Sequence, residues 1–329
     1  MTRILLIDSP STDASGHAAL RRRALERLGA TVATLDLREK QGVLARWRGG
    51  GVADRVSRAI LEQRPDLVLV VDGLELTAPM LAQLRRNAEA TWAAWFMGDV
   101  RSEPLIEAVS GGYDVLFVPG ADQAARLVGS SRSPAIYLPP AADPSVHRPV
   151  KSRDEFKSNL VFVGGATPER EQLLSNVADL GLAVWGPGWK GSPLKAQCRG
   201  DALSLEDFVR AYAGAAIGLN VHRVELGGSA TGCNKRTFEL AAIGVAQVVD
   251  DRADLARHFD VGVDLATFRS GAELRTVVQA LLQNPARAER MAQAGRRRAL
   301  AEHTYMHRAS TLLKETRQTG RRPLATTPE

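Results

Sequence analysis

Cysteine is almost missing from this chain. Cys198 and Cys233 are the only two in 329 residues, and they form no C-x-x-C pair. That excludes a disulfide framework and a cysteine-built zinc site, and it points to a reduced, cytoplasmic protein. Aromatic residues make up only 5% of the chain, and none interleave with the basic runs at 21–23, 296–298 and 321–322. A stacking platform for single-stranded nucleic acid is therefore not expected. No apolar run approaches the ~20 residues that span a bilayer. Met1-Thr2-Arg3 leads straight into Ile4-Leu5-Leu6-Ile7, a run too short for a secretory core. The six histidines include no H-E-x-x-H and no pair at ligand spacing, so no bound metal is expected.

What is present is ordinary for a globular protein: 44% hydrophobic and 24% charged residues, with a net charge of +6 that suits a phosphate-bearing or anionic partner. The length suggests about two domains. Short apolar runs at 4–7, 32–35, 67–71, 91–97, 115–118 and 135–138 alternate with helical stretches at 15–28, 52–61, 78–87 and 121–128. That rhythm predicts an α/β fold with a parallel sheet covered on both faces. Prolines 139, 140, 144 and 149, followed by a charged run at 151–157, mark a boundary. The expected division is 1–145, then 146–316, with 317–329 a disordered tail rich in Arg, Thr, Gly and Pro. The second half repeats the pattern, with strands at 160–163, 182–185, 216–219 and 245–249 and helices from Pro168, Leu205, Lys235, Gly271, Pro285 and Tyr305. Thr167 with Pro168 reads as a helix start, Asn234 as an N-cap and Gly244 as a helix stop.

In open parallel sheets, ligands gather at the carboxyl ends of the strands. That rule collects Gly164, Gly165 and Arg170, then Gly186 and Trp189, then Asn220 and His222, then Asn234, Lys235, Arg236 and Glu239. Glycine turns that open helices offer backbone amides to phosphate oxygens. Glu239 is the odd member, a carboxylate between Phe238 and Leu240 on an apolar helix. It reads either as an intrahelical ion pair with Lys235 or Arg236, or as an acceptor for ribose hydroxyls while those cations meet a diphosphate. Trp189 reads as the wall of a base site or as core, and His222 as a phosphate donor or a loop histidine. In the first half, Asp13 and His17 on the first strand–helix turn and Asp99 after another strand are candidate bases, with capping or solvation as the plain alternatives.

The segment Asn234-Lys-Arg-Thr-Phe-Glu239-Leu-Ala-Ala-Ile-Gly244, followed by a strand and Asp250, resembles the nucleotide-sugar segment of GT-B glycosyltransferases. It is most similar to the spore-maturation CgeB-type proteins and their glycosyltransferase-4-like relatives. Leu160-Val-Phe-Val-Gly164, Arg170, Val184-Trp-Gly186-Pro-Gly188-Trp189, Gly218-Leu-Asn220 and the run from Asn284 to Tyr305 and Arg308 agree with that family. The resemblance implies two Rossmann-like, doubly wound domains facing a central cleft. It also implies metal-independent transfer of a sugar from a nucleotide-diphospho-sugar of UDP, GDP or dTDP type, with no tightly bound cofactor. Glu239 would then hold the ribose, with Asn234 and Arg236 near the diphosphate. The retaining pattern has a second glutamate eight positions earlier, where this chain carries Thr231. Retention and inversion therefore both stay open. So do a nucleotide-sugar epimerase or hydrolase, and a non-catalytic binding module. The acceptor is a small molecule, glycan or protein, and peripheral contact with a membrane is compatible with the basic faces.

Overall fold

The structure is a computed structural model that describes residues 1–9, 16–38, 51–72, 75–86, 88–97, 103–223 and 230–319. It divides into two compact units. One is built from Met1–Pro139 and includes the last helix; the other is built from Pro140–Arg223 and Thr231–Thr304.

The first unit contains β1 (Arg3–Ile7), α1 (His17–Arg27), β2 (Thr31–Leu35), α2 (Val52–Gln63), β3 (Leu67–Val71) and α3 (Ala78–Arg85). It continues through β4 (Thr91–Trp95), α4 (Glu103–Ser110), β5 (Val115–Val118), α5 (Ala121–Leu127) and β6 (Ala135–Tyr137). The strands form one sheet in the order β2-β1-β3-β4-β5-β6, and every pairing is parallel. All five residues of β3 are buried, as expected of a strand covered on both faces. On one face Leu5, Ile7, Val68, Val70, Trp92, Ala94, Leu116 and Val118 join a single core.

The second unit contains β7 (Ser158–Val163), α6 (Pro168–Ser175), β8 (Leu182–Trp185), β9 (Cys198–Gly200), α7 (Leu205–Ala213) and β10 (Ala215–Asn220). Then come α8 (Lys235–Ile243), β11 (Ala246–Asp250), β12 (Ala266–Phe268), α9 (Gly271–Leu282) and α10 (Pro285–Glu302). The chain ends its described part with α11 (Tyr305–Thr319), which belongs to the first unit. The second sheet runs β12-β11-β10-β7-β8-β9, again all parallel. Residues alternate between two cores: Leu160, Phe162, Val184 and Leu219 on one face, Val161, Ala183 and Trp185 on the other.

The strand order places the functional edge. In the second sheet β7 comes first in the chain, yet it lies in the middle, between β8 and β10. The crossovers leave β7 in opposite directions, so a crevice opens beyond the carboxyl ends of β7 and β10. In the first sheet the same reversal falls at β1 and β3. Among the described residues, no helix is long and apolar enough to cross a membrane.

Candidate functional site

At the β7–β10 crevice the chain makes two short loops that touch through their backbones. Gly164 N–H donates to Trp185 O at 2.8 Å, and Ala166 N–H donates to Pro187 O at 2.9 Å. Gly186 has φ 138°, and a Cβ there would lie 2.2 Å from Gly164 O, so only glycine fits. Thr167 caps α6 by accepting from Arg170 N–H at 3.3 Å, with Pro168 in the first turn. α6 stops at Ser175, and a separate 3₁₀ turn follows at Ala178–Leu180.

Arg170 projects back from α6 and bridges the crevice. Its Nη1 donates to Gly165 O at 2.9 Å, and its Nε and Nη2 donate to Val221 O at 3.2 and 2.9 Å. Its guanidinium also lies 5.3 Å from the Phe162 ring centre. Burial, and then the charges of Arg223 and Arg236, pull its pKa below the ordinary arginine value. An arginine keeps its proton under such pressure. The cluster is therefore a concentration of positive charge that an anion would relieve.

α8 supplies the other wall, and its bounds follow from local chemistry. Asn234 Oδ1 accepts from Thr237 N–H at 3.1 Å at the start, and Gly244 closes the end at φ 82°. Glu239 on this helix is 1% exposed. Arg236 Nη1 donates to its Oε2 at 2.8 Å and Nη2 donates to Val163 O at 3.3 Å. The Arg236 guanidinium stacks 4.1 Å above the Phe208 ring centre. The intrahelical pair thus exists with Arg236, while Lys235 sits exposed at the first helical position. A carboxylate this deeply buried is not an ordinary surface pair.

Three of the expected ligand contacts have structural duties instead. Trp189 is 0% exposed. Its indole N–H donates to Gly164 O at 2.7 Å and its ring meets Phe162 edge-on at 5.9 Å. The side chain props the glycine loop from behind and does not wall a base. His222 has both ring nitrogens engaged inside the unit. Asn234 N–H donates to Nε2 at 2.9 Å. The ring proton therefore sits on Nδ1 and is donated to Asp250 Oδ1 at 2.7 Å. The ring ties the ends of β10 and β11 to the start of α8. Asn220, 2% exposed, exchanges hydrogen bonds with Asn234 at 3.1 and 2.9 Å and donates to Thr237 Oγ1 at 3.1 Å. Gln247 Nε2 donates to Thr237 O at 3.1 Å. Thr237, Gln247 and Asp250 were not anticipated as site supports. The one signal was a lone glutamine inside the buried strand Ala246-Gln247-Val248-Val249.

Burial works against the charge on Asp250, but the hydrogen bonds from the His222 ring and main chain, with Arg252 beside them, outweigh it and hold the carboxyl below its ordinary pKa. A depressed folded-state pKa stabilises the protein above the unfolded value near 4. That contribution disappears as pH falls through the depressed value. In urea unfolding at pH 3 and pH 7, Asp250→Asn should therefore cost more at pH 7 than at pH 3. An equal cost at both would show that the charge plays no part.

Thr231, at the position of the second glutamate in the resembled pattern, donates Oγ–H to Asp254 Oδ2 at 3.2 Å, and Asp254 N–H donates to Thr231 O at 3.1 Å. Asp254 is 2% exposed. The loop is pinned there through a buried acid.

In the first unit, His17 opens α1 behind Gly16, whose φ is 71°. It is not a solvated histidine: it is 4% exposed, and its Nδ1 lies 2.8 Å from Tyr305 Oη on α11. At the end of β1, Asp8 receives Arg21 Nε and Nη2 at 2.8 and 2.9 Å. Asp13 and Asp99 lie outside the described residues, as do 320–329 of the expected tail.

Residues 170–314 match the model of a family described as glycosyl transferase-like. Among curated proteins, none matches the chain. Similar solved structures include sucrose-phosphate synthase from Thermosynechococcus elongatus, with TM-score 0.70 at 14% identity, covering 97% of this chain and 99% of that one. AviGT4, a glycosyltransferase involved in avilamycin A biosynthesis, has TM-score 0.69 at 16% identity, covering 97% and 98%. Anabaena HepE in complex with UDP-glucose has TM-score 0.68 at 10% identity, covering 97% and 100%. The fold, two parallel six-stranded α/β domains, is the one found in GT-B glycosyltransferase structures.

Proposed function

We propose that the second unit binds a nucleotide-diphospho-sugar and that the protein transfers the sugar to an acceptor hydroxyl. The observation that carries this reading is the set of guanidiniums, Arg170, Arg223 and Arg236, whose mutual repulsion is felt at Arg170 beside the β7–β10 crevice. A diphosphate is an anion whose charge suits that cluster. In the proposed scheme Arg170, Arg236, Lys235 and the amides opening α6 and α8 neutralise the leaving diphosphate without a metal. Glu239 accepts from the ribose hydroxyls. Gly164, Gly165 and Gly186 let the backbone come close to the phosphates. The UDP-glucose in the HepE structure and the glycosyl transferase-like family match favour a sugar nucleotide over a free one. The donor is of UDP, GDP or dTDP type. The acceptor belongs to the first unit, where His17, with Asp13 and Asp99 as rivals, is the base in an inverting course; a retaining course needs none. The two cysteines, neither of them in a disulfide, suit a cytoplasmic setting.

Glu239→Gln tests the ribose assignment. Losing a charged acceptor should weaken nucleoside diphosphate binding by about 1.5–3 kcal/mol, or roughly 10- to 150-fold, in calorimetry with EDTA present. Unchanged affinity in a folded variant would sink it. Sugar transfer that requires an acceptor supports the transferase. Donor turnover without acceptor supports an epimerase or hydrolase. Tight binding with no turnover supports a binding module, the reading that Thr231 favours.

A further inference from the structure

The amino-terminal edge of the second sheet, opposite the crevice, carries two adjoining hollows. The apolar one has a volume of about 250 Å³ and lies where β10 and β11 begin, with Ile217, Val245 and Ala246 on the strand side and Leu281, Leu282 and Ala288 on the side of α9 and α10. The polar one, of about 710 Å³, lies where β7 and β10 begin and is lined by Lys151, Lys157, Ser158 and Asn159. Ala215 and Ala216, the first residues of β10, line both. The sheet order β11-β10-β7 sets the hollows side by side, so the apolar one leads into the polar one across β10. The six residues of β10 put this edge about 17 Å from the crevice. The floor of the polar hollow stays low because Ala213, Gly214, Ala215 and Ala216 carry methyl groups at most. A Cβ at Gly214 would lie 2.3 Å from Ser152 Oγ, which donates to Arg210 O at 2.9 Å.

The chemistry of the two hollows is complementary to one kind of molecule. The polar lining holds two lysines and no acid. Lys157 Nζ lies 2.6 Å from Asp154 Oδ1, but the two side chains are 64% and 94% exposed, so that pair is weak and gives way to a stronger anion. Ser158 Oγ is buried and has no hydrogen-bond partner among the described residues, which leaves a donor and lone pairs for a ligand. The acid in the apolar lining is Glu289 on α10, whose Oε1 accepts from Gln293 Nε2 at 3.1 Å. It disfavours an anionic group at that end and so sets the direction of a ligand. A bare anion would leave the apolar hollow empty, and a neutral hydrocarbon would leave the lysines unused. We infer that this edge binds a single-chain alkyl phosphate, its chain in the apolar hollow and its phosphate among Lys151, Lys157 and the Ser158 hydroxyl. The inference is independent of the sugar-nucleotide reading of the crevice. At ~30 Å³ for a group the size of a water or a methylene, the apolar hollow takes a chain of roughly eight carbons.

The test is calorimetry on the full-length protein with octyl phosphate, butyl phosphate, octyl glucoside and inorganic phosphate, all below micelle-forming concentrations. Octyl phosphate should bind at least about tenfold more tightly than each of the other three, because burying four further methylenes separates it from butyl phosphate. Lys151→Gln, a change at an exposed position, should weaken octyl phosphate about fivefold. Ala216→Leu fills the junction of the hollows from an exposed position and should erase the advantage of octyl over butyl phosphate. Ser158→Ala removes a buried hydroxyl that has no partner. It should hold or raise the melting temperature and still weaken octyl phosphate about threefold; a serine with a structural role alone would leave that affinity as it was. Melting curves report that each variant folds. Octyl glucoside or inorganic phosphate binding as tightly as octyl phosphate overturns the inference, and so does unchanged octyl phosphate affinity in folded Lys151→Gln and Ala216→Leu. Capture on phosphatidylglycerol vesicles with no binding of free octyl phosphate would make this edge a bilayer contact and overturn it as well.

Discussion

Arg236→Ala should be the most damaging single change at the crevice, and its two effects should be separable. Glu239 is 1% exposed and receives Arg236 Nη1 at 2.8 Å. Removing one partner of a buried pair costs about 3–5 kcal/mol. Loss of the stacking over Phe208 adds about 0.5–1 kcal/mol. Glu239→Gln in the same chain removes the buried charge and should restore about 2 kcal/mol, leaving the smaller cost of a buried amide. Binding should behave differently. If Arg236 meets the diphosphate, Arg236→Ala weakens nucleoside diphosphate binding by about 1.5–3 kcal/mol, and the double variant stays weak. Urea unfolding and calorimetry on the same two variants read the two effects. A double variant that regains affinity along with stability would reduce Arg236 to a structural partner of Glu239.

That separation matters because sequence and structure agree unevenly over this segment. The limits of α8 were legible to the residue, since Asn234 and Gly244 act within a few positions of themselves. The buried strands were legible as apolar runs for the same reason. β9 and β12, three residues each, were not, because strands that short are defined by the neighbour they pair with. The order of the strands, and so the crevice, depends on the same long-range pairing. Arg170 was found from its place after a glycine turn, yet its reach to Val221 O lies 51 positions away and leaves no local mark. His222 and Trp189 follow strands, and from that place each reads equally as a ligand contact or as a structural residue. Only packing shows that the histidine ring is used up between Asn234 N–H and Asp250, and that the indole faces inward.

The site also depends on one residue with no side chain, and Gly186→Ala should show how strongly. Gly186 holds φ 138°, and an added Cβ would lie 2.2 Å from Gly164 O, 2.6 Å from Gly164 C and 3.1 Å from Gly165 N. All three obstacles are backbone, so no rotamer change relieves them. The backbone strain costs about 1–3 kcal/mol, and forcing the two loops apart costs about 1–3 kcal/mol more. For a unit of this size that corresponds to a melting point lower by roughly 10 °C. The loops cannot part without breaking Gly164 N–H to Trp185 O and Ala166 N–H to Pro187 O. The shift would also carry Gly165 O away from Arg170 Nη1, now 2.9 Å apart. Nucleoside diphosphate affinity should therefore fall with stability, unlike the Arg236→Ala and Glu239→Gln pair. Gly191→Ala is the matched control, since nothing lies within 4 Å of its added Cβ. It should melt and bind as the wild type does. Wild-type melting and affinity in Gly186→Ala would mean that the loops are not locked backbone to backbone, and that the crevice owes its shape to the arginines alone.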